Sequence, residues 1–119
     1  MTGLGDNNDK DLYWGPGCRK MLEGFPEEVQ DIILQAFFFA QKGSKHPDAK
    51  PLKGFHGASV LEVVVPFDTN AYRAVYTTRF TGAIYVLHIF QKKSKSGIAT
   101  PKKEIDLIKQ RLKQIEAQK

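Results

Sequence analysis

The chain has a single cysteine, Cys18, among 119 residues, and this scarcity excludes an internal disulfide. A lone thiol with no metal-ligand spacing around it is typical of a protein from a reducing cytoplasm. The longest apolar runs, such as 36–40, are far too short to cross a bilayer, so no membrane association is predicted. The first residues also lack the charged-then-apolar pattern of a secretory signal.

The sequence motifs of several enzyme classes are missing as well. There is no hydrolase nucleophile elbow, phosphate-binding loop, zinc-ligand spacing or glycine-rich dinucleotide fingerprint. The acidic residues are scattered along the chain, which gives little support to a carboxylate-based metal nuclease. The sequence therefore predicts no metal ion and no cofactor.

Positive charge is present in excess, and it is unevenly distributed. The net charge is +5, and residues 91–119 hold nine Lys or Arg against three acids, a local charge of +6. The preceding ninety residues carry a local charge of −1. Such an asymmetry favours a polyanionic partner such as RNA or DNA, although a solubilising carboxy-terminal helix would give the same pattern.

The predicted elements begin with a short strand and a helix, which follow a flexible leader. Residues 1–11 are small and polar and form the predicted leader, while 12–119 form one predicted domain. Within that domain, Leu12, Tyr13 and Trp14 are a short strand candidate. A helix is predicted to begin at Pro26, followed by apolar residues at 3.6-residue spacing, and to end at Gly43.

Three strands and a second helix complete the prediction. The strands are joined by short turns, which predict an antiparallel meander, and they span 60–65, 71–80 and 83–90. The carboxy-terminal helix is predicted to be capped by Thr100 and to begin at Pro101. One helix precedes the antiparallel strands in the sequence and another follows them, and this order indicates an α+β domain.

The candidate chemistry of this sequence is cationic. Strand alternation places Arg73 and Arg79 on one face, and His88 and Lys92 are in phase on the next strand. The other candidates lie just beyond that strand or ahead of the sheet: Lys93, Lys95, Lys50 and Lys53. Such a set can cleave RNA without a metal, because a base can take the 2′-hydroxyl proton while fixed cations stabilise the charged phosphorane.

Each candidate also has a structural explanation. His88 alternates with Ile84, Val86 and Phe90, so it fits a satisfied core histidine as well as a catalytic one. The two strand arginines also fit ordinary solvent-facing positions. The two lysines that follow the last strand also fit charged residues that protect a hydrophobic strand from aggregation.

Four sequence blocks carry a resemblance to a known family: KPLKGF (50–55), VLEVV (60–64), AYRAVY (71–76) and YVLHIFQKKSKSGIATPKKEIDLIKQRL (85–112). They resemble the phage-derived gene-product-49-like proteins, which are grouped with the HigB toxins in the RelE/ParE toxin superfamily. The resemblance covers about residues 12–112. It implies a RelE-like α+β fold, with amino-terminal helices packed on a twisted antiparallel sheet and a carboxy-terminal helix.

The resemblance also implies a function. It implies the toxin of a type II toxin–antitoxin system that cuts mRNA on the ribosome without a metal, with a helix-turn-helix antitoxin as partner. Arg73 matches the arginine that stabilises the transition state in ribonuclease members, and Lys92 and Lys93 match their phosphate-contacting basic pair. Beside these matched residues, the other cations of the set, Lys50, Lys53, Arg79 and Lys95, are candidate RNA-binding residues from their positions in the sequence.

Departures from the family pattern keep two other functions open. Where RelE-like enzymes place strand lysines, this chain has Glu62 among valines, so the general base would have to be His88, Lys53 or Glu62. No tyrosine follows Tyr85, although some of these enzymes use one. The alternatives are a ParE-like toxin that binds DNA gyrase, or a non-catalytic phage-derived protein that binds an antitoxin or nucleic acid.

Overall fold

The computed structural model describes residues 9–93 and 99–118. The elements, in chain order, are β1 (Asp11–Trp14), α1 (Cys18–Glu23), α2 (Glu27–Gln41), β2 (Ala49–Pro51), β3 (Val60–Phe67), β4 (Asn70–Thr77), β5 (Ala83–Lys93) and α3 (Lys102–Gln118). Most of the predicted leader lies outside the described residues, and its last residue, Asp11, is the first residue of β1. None of the helices in the described ranges is long and apolar enough to cross a membrane.

The sheet has five strands in the order β1-β5-β4-β3-β2. Strands β2 to β5 are antiparallel neighbours, as the short connections between β3, β4 and β5 predict. Strand β1 pairs parallel to β5, with Asp11 opposite Ala83. Because β1 and β5 are far apart in sequence, no hairpin fixes their relative direction.

Helices α1 and α2 cover one face of the sheet. Helix α2 places five apolar residues on that face, all nearly inaccessible to solvent: Val29, Ile33, Ala36, Phe37 and Ala40. The predicted start was one residue early, because Pro26 precedes the first helical residue. The predicted end is confirmed: Gly43 has φ +85°, its amide binds the Ala40 carbonyl, and the Ser44 amide binds the Phe39 carbonyl.

Helix α3 covers the opposite face. Ile108 and Leu112 are buried there, and they pack against Val75 and Leu87 of the sheet. The predicted cap was wrong, because α3 begins at Lys102 and the Pro101 carbonyl accepts the first helical hydrogen bonds. The sheet therefore separates two cores, one under α1 and α2 and one under α3.

A bulge in β5 decides which way His88 points. Val75 of β4 pairs with His88, but the next residue, Tyr76, pairs with Val86, so Leu87 is an extra residue. Leu87 belongs to the core under α3, whereas Ile84 and Val86 belong to the core under α1 and α2. The predicted alternation of His88 with Ile84 and Val86 is therefore wrong, and His88 faces α3 instead.

Strand β4 ends earlier than predicted, at Thr77 rather than Phe80. The Thr77 hydroxyl is buried, donates to the Ser59 carbonyl at 2.7 Å and accepts the Arg79 amide at 3.1 Å. These bonds turn the chain away from the sheet, which it rejoins at Ala83. Arg79 consequently lies outside β4.

Candidate nucleic-acid interface under and beside α3

One row of the sheet carries three of the chemically interesting side chains. Lys50 of β2 lies opposite Glu62 of β3, Glu62 lies opposite Val75 of β4, and Val75 lies opposite His88 of β5. Directly opposite residues project to the same side of a sheet. Since Val75 is in the core under α3, Lys50, Glu62 and His88 all lie on that face.

The next rows hold Arg73 and Lys92. Arg73 lies opposite Phe90, and Lys92 lies two residues further along β5, opposite Ala71. Arg73 and Lys92 therefore share the α3 face with Glu62 and His88. Lys93 projects to the other face by strand alternation and is exposed. The fold thus separates the two lysines of the predicted basic pair, while it places Lys92 beside Arg73.

Arg73 is buried, with only 2% of its surface exposed. Its Nη1 lies 3.4 Å from both carboxylate oxygens of Glu62 and 3.4 Å from the Thr100 hydroxyl. That hydroxyl donates to Glu62 Oε2 at 2.8 Å, which closes a ring of three side chains. The hydroxyl predicted to cap α3 therefore binds the Glu62 carboxylate, and the charge of Arg73 is neutralised inside the fold.

His88 is held by contacts on both ring nitrogens. Its Nε2 lies 2.7 Å from Glu104 Oε1, and its Nδ1 lies 3.4 Å from Nη1 of Arg111. A guanidinium can only donate, so Nδ1 is the acceptor and Nε2 carries the proton shared with Glu104. The ring stacks on Phe90 at a centroid distance of 4.8 Å, and 13% of the side chain is exposed.

Glu104 and Arg111 are partners that the sequence analysis did not identify. Both lie on the stripe of α3 that faces the sheet, because they stand four before and three after the buried Ile108. The sequence signal that would have indicated them is a charged residue spaced three or four positions from an apolar residue on the buried side of a predicted helix. Arg111 also donates a hydrogen bond to the Leu87 carbonyl at 2.7 Å. Leu87 directly follows Val86, the last residue of β5 that pairs with β1.

The remaining predicted cations fall into two groups. Arg79 is already paired, with its Nη1 2.6 Å from Glu116 Oε2 and its Nε 3.2 Å from the Ser59 hydroxyl. The side chains of Lys50, Lys53 and Lys92, in contrast, have no ion-pair partner among the described residues. Lys50 and Lys53 are exposed and Lys92 is half-buried. Lys95 lies outside the described residues.

Cys18 is the one nucleophilic thiol of the chain, and it is buried in the core under α1 and α2. Burial raises the pKa of this thiol above its usual value, and the nearby Arg111 guanidinium offsets only part of that effect. A thiol held protonated in this way is unreactive at neutral pH. Cys18 therefore belongs to the packing of α1 rather than to the candidate site.

Comparison with known proteins places this arrangement in a family. No curated protein sequence matches the chain. A solved structure of the E. coli toxin RelE, a variant with two arginines replaced by alanine in the free state, matches with a TM-score of 0.57 and 12% sequence identity. The match covers 90% of this chain and 98% of that one, and at this identity it shows a shared fold.

The sequence profile of a family described as phage derived protein Gp49-like matches residues 20–113, from α1 through most of α3. Both the family and the RelE-like α+β fold implied by the sequence blocks are thereby confirmed. The chain belongs to the phage-derived Gp49-like protein family.

Proposed function

We propose that this chain is the toxin of a toxin–antitoxin system and that it cleaves mRNA on the ribosome without a metal ion. The observation that carries the proposal is one sheet face of a RelE-like fold that aligns Lys50, Arg73 and Lys92. The local charge of +6 over residues 91–119 supports a polyanionic substrate. The proposed protein partner is a helix-turn-helix antitoxin.

The reaction is an internal transesterification. A base removes the proton of a 2′-hydroxyl, and the oxygen attacks the adjacent phosphorus. The bond from phosphorus to the 5′-oxygen of the next nucleotide breaks, and that oxygen takes up a proton from the protonated base or from water to leave as a 5′-hydroxyl. A 2′,3′-cyclic phosphate remains on the upstream fragment. The developing charge lies on the phosphate oxygens, so fixed cations that contact those oxygens lower the barrier.

Lys92 is the proposed phosphate contact in the described conformation, with Lys50 and Lys53 guiding the strand. These three side chains have no ion-pair partner among the described residues, so binding a phosphate breaks no existing pair. Lys93 faces the other side of β5 and contributes at longer range. Arg79 would first have to leave Glu116.

Arg73 and His88 are proposed to act when α3 has moved away from the sheet. The guanidinium of Arg73 is covered by Thr100, and the imidazole of His88 is covered by Glu104 and Arg111. All three covering residues lie between 99 and 118, so one movement would uncover both side chains. Arg73 would then stabilise the phosphorane, and His88 Nδ1, which accepts only a long contact from Arg111, would accept the 2′-hydroxyl proton.

The test is induced expression followed by primer-extension mapping of cellular transcripts. The wild-type chain is expected to arrest growth and to produce new 5′ ends within translated regions. The rate of cleavage by the variant Arg73→Ala/Lys92→Ala is expected to fall by about a hundredfold or more. This is roughly the effect of removing one or two groups that stabilise the charge of the transition state. Lys20→Gln on the exposed surface of α1 is the matched control and should cleave like the wild type.

Two results would overturn the proposal. One is growth arrest without new 5′ ends, and the other is undiminished cleavage by the double variant. Circular dichroism of the purified variants separates loss of the site from loss of the fold. In addition, Lys92→Gln alone leaves the buried Arg73 pair intact and should still reduce cleavage.

A second candidate is a toxin that binds DNA gyrase. The pairing of Glu62 with Arg73 favours it, because an acid in the β3 row neutralises the cation that cleavage would use. This function predicts double-strand DNA breaks while transcripts stay intact. The same induction experiment therefore distinguishes it from mRNA cleavage.

A further inference from the structure

Strand β1 is an open edge of the sheet. It pairs with β5 on one side, and in the part of the chain that the structure describes no strand pairs with its other side. The amides of Asp11 and Gly15 donate hydrogen bonds on the β5 side, at 3.0 and 2.8 Å. Because alternate residues of a strand face alternate sides, the backbone groups of Leu12 and Trp14 point away from the sheet. Native edges are commonly protected by lysine or proline, whereas these two residues are apolar.

The open part of this edge is short and has clear limits. At its start, the Lys10 amide donates to the Gln41 carbonyl, and the Gln41 side-chain amide donates to the Lys10 carbonyl, both at 2.9 Å. The end of α2 therefore covers the edge at Lys10. Beyond Trp14, the next residue in the outward phase is Pro16, which has no N–H to donate. The outward groups of Leu12 and Trp14 have no partner among the described residues.

Large apolar side chains are exposed beside this edge on both faces of the sheet. On the α2 face, a groove of about 450 Å³ lies between Leu12 and α2, and it is lined by Leu34 and Phe38, which are 41% and 53% exposed. On the α3 face, Tyr13 is 46% exposed and stacks on Tyr85 at a centroid distance of 5.0 Å. A single element that covers both faces must supply side chains alternately to each of them, as a β-strand does.

The open edge is complementary to a second copy of itself. A two-fold antiparallel pairing centred on Tyr13 places Leu12 opposite Trp14 of the other copy, so these residues exchange their outward hydrogen bonds. Centring the pairing on Leu12 would instead bring Trp14 against Lys10, which α2 covers. Centring it on Trp14 would bring Leu12 against Pro16, which cannot donate. The pairing centred on Tyr13 is therefore the symmetric register that uses the whole open edge.

The side chains also match in this register. Tyr13 would face Tyr13 of the other copy as a non-hydrogen-bonded pair, the arrangement that brings opposite side chains closest together. Opposite residues project to the same side of a sheet, so the two-fold axis is perpendicular to the sheet. Both α2 helices then lie on the same face, with Leu34 and Phe38 of each bordering the contact between the copies. The exposed apolar groups of both faces are thus covered together.

The charges at the two ends of this edge are complementary as well. Helix α2 runs opposite to β1, since Gln41 bonds Lys10 while Phe37 packs against Trp14. The first turn of α2 and its next exposed acid therefore lie toward the end of β1: Glu27, Glu28 and Asp31. Neither these acids nor Lys10 have an ion-pair partner among the described residues. A two-fold axis through Tyr13 brings Lys10 of one copy to the end at which the acids of the other lie.

We propose that this chain forms a two-fold dimer in which the β1 strands of two copies pair antiparallel, with Tyr13 on the axis. Strand β5 separates β1 from β4, which carries Arg73, so the contact does not use the proposed cleavage site. The dimer therefore does not depend on whether cleavage occurs. A strand from a different protein is the alternative occupant, and it predicts that the purified chain is a monomer.

The experiment combines sedimentation equilibrium of the purified full chain with disulfide trapping of Tyr13→Cys. The wild type is expected to sediment at twice the chain mass at about 100 μM, a concentration at which a small interface is populated. Opposite residues of a non-hydrogen-bonded pair have Cα atoms about 4.5 Å apart, which a disulfide can span. Oxidised Tyr13→Cys should therefore be trapped as a covalent dimer. Cys18 is buried and contributes little background.

Two further cysteine variants locate the contact. Met21→Cys is the matched control, because Met21 is 48% exposed on α1 and lies away from the axis, so it should not be trapped. Leu12→Cys tests the register. Leu12 would lie opposite Trp14 of the other copy and about 8 Å from its own equivalent, which is too far for a disulfide. Tyr13→Glu places two carboxylates against each other and should raise the dissociation constant by about tenfold or more.

A wild-type chain that remains monomeric at this concentration would overturn the proposal. Trapping of Tyr13→Cys that is no greater than that of Met21→Cys would also overturn it, and trapping of Leu12→Cys in place of Tyr13→Cys would contradict the register. Circular dichroism checks that each variant folds. If Tyr13→Cys does not fold, Leu34→Glu takes its place, because Leu34 is 41% exposed and its charge should weaken the dimer without disturbing the core. A dimer of unchanged affinity in Leu34→Glu would contradict the proposed contact.

Discussion

The two faces of the sheet are held by different kinds of contact. Under α1 and α2 the interior is apolar, with Ile33, Phe37 and Tyr76 fully buried. Under α3 a smaller apolar group is flanked by polar contacts, the ion pair of Arg73 with Glu62 and the hydrogen bond between His88 and Glu104. Hydrophobic contacts tolerate many shapes of partner, whereas a buried charge is stable only with its own counter-charge.

The difference indicates where specificity lies. Helix α2 is fixed by the amount of apolar surface that it buries. Helix α3 buries fewer apolar residues, Ile108 and Leu112, and its polar residues Glu104 and Arg111 contact His88 in the candidate site. The α3 face is therefore the part of this fold whose stability and chemistry are most closely linked.

The largest expected effect is in the apolar core. Phe37→Ala removes a ring that packs edge-on against Trp14 and Tyr76, and it should lower the free energy of unfolding by about 4 kcal/mol. Phe38→Ala on the exposed side of the same helix should cost less than about 1 kcal/mol. Urea unfolding followed by circular dichroism measures both, and similar losses would contradict the assignment of the core.

Breaking the buried charge pair should have the next largest effect. Glu62→Leu leaves the Arg73 guanidinium buried without its carboxylate, and it should lower the free energy of unfolding by about 3 kcal/mol. Urea unfolding again provides the measurement. An unchanged midpoint would show that Arg73 finds water or another acceptor when Glu62 is absent.

The double variant Glu62→Leu/Arg73→Leu completes a mutant cycle. Because both charges are removed together, most of the stability lost in Glu62→Leu should return. If the loss of stability in the double variant equals the sum of the losses in the two single variants, the two side chains do not interact. The double variant also provides a folded protein without Arg73, in which the cleavage assay can be repeated.

A pH dependence distinguishes the two faces further. Burial raises the pKa of Tyr76, under α1 and α2, from 10.0 to about 12, and its hydroxyl has no hydrogen-bond partner among the described residues. The neutral phenol is favoured in the folded state, so its contribution is fully present below pH 10 and is lost as the pH rises to about 12. The loss amounts to about 2 to 3 kcal/mol.

Comparison with Tyr76→Phe isolates this contribution. The variant cannot ionise at this position, so the difference in unfolding free energy between it and the wild type should change between pH 10 and pH 12. Ultraviolet absorbance of the phenolate reports the titration directly. A Tyr76 that ionises near pH 10 in the folded protein would contradict its burial.

The local parts of this fold were predictable from sequence. The spacing of apolar residues in α2 and the glycine that ends it depend on neighbours within a few positions, so Phe37 and Gly43 were both placed correctly. Strands β3 to β5 were found for the same reason. Their ends were less accurate, because the turn at Thr77 depends on a hydrogen bond to the distant Ser59.

The environment of the candidate site was not predictable in the same way. Whether Arg73 meets solvent or Glu62 depends on strand register, and whether His88 faces α2 or α3 depends on one extra residue in β5. A single-residue shift reverses the face of every side chain that follows. The sequence therefore indicated which residues to consider, while the register determined which of them lie together.

The smallest expected effect is at an exposed ion pair on the outer surface of α3. Lys102 Nζ lies 2.9 Å from Asp106 Oδ2, a shorter distance than that between Arg73 and Glu62, yet both of its side chains are mostly exposed. Water and salt screen such a pair, so Lys102→Gln should change the free energy of unfolding by less than about 0.5 kcal/mol. Urea unfolding at low and high salt measures the change. A loss comparable to that of Glu62→Leu would show that distance, rather than burial, decides what a charge pair contributes to this fold.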